Sequence, residues 1–238
     1  MVESRLQPRA SQPVPAGSVE LLGRAIHRVR NLMMSVRGYA ELIAISSVGD
    51  DDHRRWAGRI VEQVDRLEAL QSRVDGALRE SPELASHSLA MIARAAVERS
   101  SYRMGGEAAE IGVRVKVSED VVLEADGEDL AEAIAALIDN AREASADSGS
   151  DVELWLGTEG TDSWTLKVVD TGPGCPDRDR TRLGEPFFTR KAGHLGLGLF
   201  LSRSLLDRHG MQLDFEVASG GGTVATIRER RRTAGGTR

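Results

Sequence analysis

Four places in this chain combine residue type and spacing in a way that could do chemistry. Asp170 closes an alternating apolar run and opens DTGPG (residues 170–174), where a carboxylate can accept a bond from a planar N–H donor, and Gly172 and Gly174 permit close backbone approach. Gly196 and Gly198 lie in GHLGLGLFLSR (193–203), just ahead of an apolar helical run, so that amides at a helix N-terminus can face an anion. Asn140 lies in LIDNAREAS (137–145), on the side of a helix opposite Leu137, Ile138 and Ala141, and offers a carbonyl oxygen to a hard cation. His27, in AIHRVRNLMMSVRGYAELI (25–43), is a nucleophile when its ring is neutral. Taken singly, each has an ordinary reading as a turn, a surface amide or a solvated helical histidine. Their order along one chain is what separates them from chance.

Two kinds of element have to position these groups. From Leu22, the residues Ile26, Val29, Met33, Val36, Ala40 and Ile43 recur at alternating spacings of four and three, the seam of a long packed helix. SSVGDDD (46–52) reads as a turn, and a second helix over 53–80 carries Ala57, Ile60, Val64, Leu67, Val74 and Leu78, interrupted by Gln71. The pair predicts an antiparallel hairpin, and two hairpins covering each other's seams predict a homodimeric four-helix bundle. In that heptad His27 and Asn31 fall on the solvent side, one turn apart. After SPELASHS (81–88) the texture changes. A helix is expected over 89–103 and another from Asp129. IGVRVKV, VVLEA, VELWLG, WTLKVVD and TVATIRE read as strands, which makes an α+β layered unit. Residues 175–195 are rich in Gly, Pro, Asp and Arg and should form a lid whose far end Phe187 and Phe188 anchor in the core. The expected division is a disordered tail at 1–17, a hairpin at 18–80, the layered unit at 86–228 and a basic tail at 229–238.

Composition bounds the function. A 238-residue chain with 40% apolar and 29% charged residues can build aliphatic cores for two modest units. Its formal charge of −6 argues against binding nucleic acid by bulk electrostatics. One cysteine, Cys175, excludes an internal disulfide or a zinc cluster and fits a reducing cytoplasm. No run approaches the ~18 apolar residues of a membrane span, and the N-terminus lacks the apolar core of a signal peptide, so a soluble protein is expected.

In chain order, LIDNAREAS, VVDTGPG (168–174), EPFFTRK (185–191), GHLGLGLFLSR and SGGGT (219–223) resemble the N box, first glycine box, F box, second glycine box and closing GGT segment of GHKL ATPases. The combination of DTGPG, FFTRK and GLGL is most similar to that of two-component histidine kinases. This resemblance covers about residues 86–228 and implies a Bergerat-type α/β sandwich that binds ATP and Mg. Asn140 would then be the magnesium ligand and Asp170 the acceptor of the adenine amine. Gly172, Gly174, Gly196, Gly198 and Thr223 would line the nucleotide. Arg190 and Lys191 would neutralise phosphates, with solvated surface charge an equal reading for each.

The stretch 25–43 resembles a kinase H box, and HRVRN is similar to the HRVxN of the HWE-related kinases. The resemblance makes His27 the phosphoacceptor and gives Asn31 the place that positions a water for dephosphorylating a partner aspartate. Three positions depart from the pattern: Ala136 where many members carry a second Asn, His194 where Gly is commoner, and Arg28 where an acid usually follows the His. The implied protein is a cytoplasmic, homodimeric histidine kinase that phosphorylates His27 from Mg-ATP and passes the phosphoryl group to a separate response-regulator receiver domain. A sensing module would lie on another protein or on a part of the protein outside these 238 residues. The alternatives are a dimeric phosphotransferase or phosphatase with a vestigial ATP unit, and another GHKL ATPase such as an anti-sigma-type serine kinase. Arg24, Arg28 and Arg30 should hold the His27 pKa below ~6.5, and Glu68, Ser72 or Asp75 of the second helix are the competing base.

Overall fold

The computed structural model describes residues 36–38, 40–43, 45, 51–78, 81–103, 106–158, 163–191 and 196–230. His27, Asn31, the arginines flanking His27, His194 and both distal tails lie outside the described residues.

The layered unit is built on a five-stranded sheet. Its strands are β2 (Val113–Val117), β4 (Val152–Thr158), β5 (Trp164–Val169), β7 (Thr223–Glu229) and β6 (Met211–Val217), in the spatial order β2-β4-β5-β7-β6. Only the β2–β4 pair is parallel. Alternation sorts the two faces: Val152, Leu154, Leu156, Leu166, Val168, Ala225 and Ile227 are buried, while the outer face carries Lys116–Glu153 and Arg228–Asp214 pairs at 2.8 and 2.9 Å. Against the buried face pack α2 (Leu89–Arg103), α3 (Gly127–Ser145) and α4 (Gly198–Arg208), contributing Ile92, Ala96, Ile134, Ile138, Leu205 and Leu206 to one core. A two-stranded sheet, β1 (Ala85–Ser88) against β3 (Val122–Ala125), closes one side.

The central helix α3 begins two residues before the expected Asp129, because the Asp126 carboxylate caps it by accepting the amides of Glu128 and Asp129, both at 3.1 Å. Acids in its first turn also suit the positive helix end. His209, just past α4, accepts the Asp126 amide at 3.1 Å, which joins the end of one helix to the start of the other. Arg142 is buried and donates to Ser100 of α2 at 3.2 Å and to the Ala109 carbonyl at 3.0 Å.

Two strands were not expected from the sequence. The polar β1, ASHS, has no apolar alternation and exists by pairing with β3, where Ser86 donates to Glu124. The strand β6 was missed although its alternation was present: Met211, Leu213 and Phe215 alternate with Gln212, Asp214 and Glu216. The expected basic tail also starts too early, since Glu229 ends β7 and Arg230 pairs with Asp207.

At the front of the chain, residues 36–38 and 40–43 are helical and α1 spans Asp51–Leu78. Ala40, Ala57, Val64 and Val74 are buried, and so is Gln71, while Val36, Ile43 and Ile60 of the same series are exposed. Arg37 pairs with Asp65 and lies 3.6 Å from Glu68.

Candidate nucleotide site

Asp170 follows β5 directly and is wired to the start of β7. Its amide donates to the Thr223 carbonyl at 3.0 Å, and its Oδ1 accepts the amides of Gly172 at 2.9 Å and Thr223 at 3.0 Å. Burial leaves the carboxylate 7% exposed and pushes its pKa up; the Gly172 and Thr223 bonds and the Lys191 charge oppose that rise without cancelling it. Both amide bonds fall on Oδ1 and the Thr223 side chain bonds the carboxylate as well, which still leaves acceptor capacity for a further donor.

The glycines have a nearer purpose than ligand approach. A Cβ on Gly172 would stand 2.5 Å from the Ala144 carbonyl oxygen, and one on Gly222 only 2.0 Å from that of Asp170. Gly222 also has φ +88°, which other residues avoid. The backbones of DTGPG and SGGGT therefore interlock, and Gly222 emerges as a site residue that sequence reasoning did not single out; the run of three glycines was its signal. Ser145, fully buried at the end of α3, accepts the Thr171 amide at 3.2 Å and fixes the same loop.

The other end of the site is made of side chains. Asn140 donates its Nδ2 to the Ala136 carbonyl at 3.0 Å and turns Oδ1 toward Lys191, whose Nζ is 3.4 Å away. Lys191 is held more closely by Glu143, at 2.5 Å, a residue the sequence reading passed over because only the fold brings residue 191 to residue 143. Arg190 stands apart, more than half exposed and 3.5 Å from Asp179. Gly198 is the first residue of α4, whose N-cap residue, Leu197, provides no side-chain cap, so the first amides of the helix are open to an anion. Gly196, at φ +67°, lies against the 187–188 backbone, where a Cβ would be 2.6 Å from the Phe187 carbonyl carbon.

One expectation fails in the lid. Phe187 does not anchor its far end in the core; it is 69% exposed and sits at φ +64°, because the chain turns there to pass Gly196. Phe188 is half-buried beneath the Arg182 guanidinium, 4.1 Å from the ring centre. Residues 177–180 form a single helical turn, and Cys175 is half-buried at the start of the lid.

A buried carboxylate beside interlocked glycines, an amide oxygen on a neighbouring helix and an uncapped helix start are gathered at one end of the sheet. Residues 125–232 match the family of histidine kinase-, DNA gyrase B- and HSP90-like ATPases. The sensor protein kinase PilS of Pseudomonas aeruginosa is 26% identical over 223 residues, 92% of this chain and 42% of PilS. Residues 125–232 thus resemble the ATPase unit of sensor histidine kinases. The sensory histidine kinase/phosphatase NtrB of Klebsiella oxytoca is 25% identical over 210 residues, 82% of this chain and 58% of NtrB. In fold, the chain resembles full-length ShkA, crystallised with AMPPNP, with a TM-score of 0.65 at 23% identity, covering 91% of this chain and 46% of that one. The chain thus spans about half the length of the curated relatives it matches. No helix among the described residues is long and apolar enough to cross a membrane.

Proposed function

We propose that this chain is the kinase core of a two-component system: it binds Mg-ATP between β5, α3 and α4, phosphorylates His27 and passes the phosphoryl group to an aspartate of a separate response-regulator receiver domain. The observation that carries this reading is the wiring of Asp170. A carboxylate that is buried, aimed by two backbone amides and left with acceptor capacity suits the amine of adenine, and ShkA, of like fold, was crystallised with an ATP analogue. The residues present fit the nucleotide. Gly172, Gly174 and Thr223 would flank the base, and Asn140 would supply an oxygen to a magnesium ion on the phosphates. The amides from Gly196 to Gly198, with Lys191 and Arg190, would meet the phosphates. When bound, ATP supplies the phosphoryl group; the protein's part is to hold it in line with a neutral imidazole.

Residues 18–80 are read as the dimerisation and phosphoacceptor unit and 86–228 as the ATP-binding unit. Within one chain the seam residues Val36, Ile43 and Ile60 are 39%, 42% and 37% exposed, and Leu42, Ile45 and Trp56 are more exposed still. A second copy covering that apolar surface as a four-helix bundle accounts for it better than solvent. Glu68, Ser72 and Asp75 of the second helix are the candidate bases for His27 if its flanking arginines do not by themselves keep the ring neutral. Asn31 would then position water for dephosphorylation of the partner, and NtrB carries a phosphatase in its name.

Incubation with γ-labelled ATP tests the reading. The expected result is an acid-labile, base-stable label that is lost in His27→Gln, leaves the chain when a receiver domain is added, and requires a dimer in light scattering. Hydrolysis without a phosphohistidine would favour a different GHKL ATPase, and absence of nucleotide binding a vestigial ATP unit.

A further inference from the structure

Asn140 and Glu143 stand one turn apart on the same face of α3, and a single ammonium at the far end of the lid answers both: Lys191 Nζ is 2.5 Å from Glu143 Oε2 and 3.4 Å from Asn140 Oδ1. The Glu143 side chain is 18% exposed and that of Lys191 38%, so the pair is only partly screened by solvent. The Lys191 amide donates to Thr189 Oγ1 at 3.1 Å, which ties the backbone of the lid's end to the position of that ammonium. Arg190 has a looser partner of the same kind in Asp179, at 3.5 Å, and is itself more than half exposed.

We infer that Glu143 is the resting partner of Lys191 and that a terminal phosphate is its second partner, so that the lid's end switches between a carboxylate on α3 and the third phosphate of the ligand. This rests on the nucleotide reading given above. The physical reason is competition for one point charge. An ammonium binds a carboxylate or a phosphate through the same donors, and a dianionic terminal phosphate outbids a single carboxylate once it is placed within reach. A diphosphate ends short of that position and leaves Lys191 on Glu143. The latch therefore makes the lid respond to the triphosphate and lowers the preference for it by the strength of the pair that must be broken.

Hydrogen–deuterium exchange of residues 183–191 in the nucleotide-free full chain, together with calorimetry of Mg-ATP and Mg-ADP, tests this. In Glu143→Gln, exchange should rise and the ratio of ATP to ADP affinity should increase, each by roughly two- to fivefold, the range expected for a partly exposed ion pair. Lys191→Met should raise exchange to the same degree but lower the ATP to ADP ratio, and adding Glu143→Gln to it should change neither reading further. Glu143→Gln with wild-type exchange and a wild-type ratio would overturn the latch, as would additive effects in the double variant. A wild-type chain that binds neither nucleotide would overturn the underlying nucleotide reading instead.

Discussion

At the Asp170 end of the site most contacts are made to backbone, whereas at the Lys191 end they run from side chain to side chain. The Asp170 carboxylate is fixed by the amides of Gly172 and Thr223, and its own carbonyl leaves no room for a Cβ on Gly222. Lys191 meets Glu143 and Asn140 through flexible stems, and Arg190 is largely in solvent. Backbone wiring gives a rigid acceptor of one shape, suited to a flat group that is the same in every turnover. Exposed ion pairs are worth little each and exchange readily, which suits phosphates that change from three to two.

Substitutions can break that contrast. The largest effect is expected for Gly222→Ala, which puts a Cβ 2.0 Å from the Asp170 oxygen at φ +88°. Thermal denaturation should show a loss of about 3 kcal/mol, roughly 6 to 12 °C in Tm, with nucleotide binding lost as well. A variant with unchanged Tm would mean that the interlock is not tight. Asp170→Asn comes next and separates fold from function. Its remaining oxygen can still accept both amides and no buried charge is left to desolvate, so Tm should hold or rise, while calorimetry should show ATP affinity falling roughly 10- to 100-fold. Unchanged affinity in the folded variant would sink the adenine assignment.

Smaller effects are expected at the side-chain end. Asn140→Ala should weaken binding about tenfold with magnesium present and far less in its absence, an amide ligand being one of several oxygens around the ion. Equal losses under both conditions would show that Asn140 is not a metal ligand. Arg190→Ala should change ATP affinity less than about twofold, as befits an exposed charge.

Acidity gives a further test of the same contrast. Burial raises the Asp170 pKa in the folded chain, so its ionised form costs stability as pH rises through the interval between the unfolded and the raised folded value, and protonation on the way down relieves that cost. Binding moves the other way, because only the ionised group is a full acceptor. As pH is lowered, nucleotide affinity should fall through the raised pKa, above the ~3.9 of an ordinary aspartate, before the fold is lost. Affinity that stays flat until the protein unfolds would contradict the role given to Asp170.

The sequence by itself determined the elements whose own residues repeat with the period of the element. The helix over Leu89–Arg103, the strands carrying VRVKV, VELWLG, WTLKVV and TVATIRE, and the positions of the glycine boxes at strand and helix ends follow from local alternation and local backbone demands. Only the tertiary structure decided pairings between residues far apart in the chain. Nothing local in ASHS makes it a strand until β3 lies beside it. Asp170 is joined to Thr223 and Lys191 to Glu143 because β5 ends where β7 begins, and α3 and the lid end near by. Phe187, apolar by type, reads as core, yet the turn past Gly196 directs it outward. A periodic pattern reports which face of an element is buried; it carries no record of which distant group will meet that face, since that choice is made by packing whole elements into one volume.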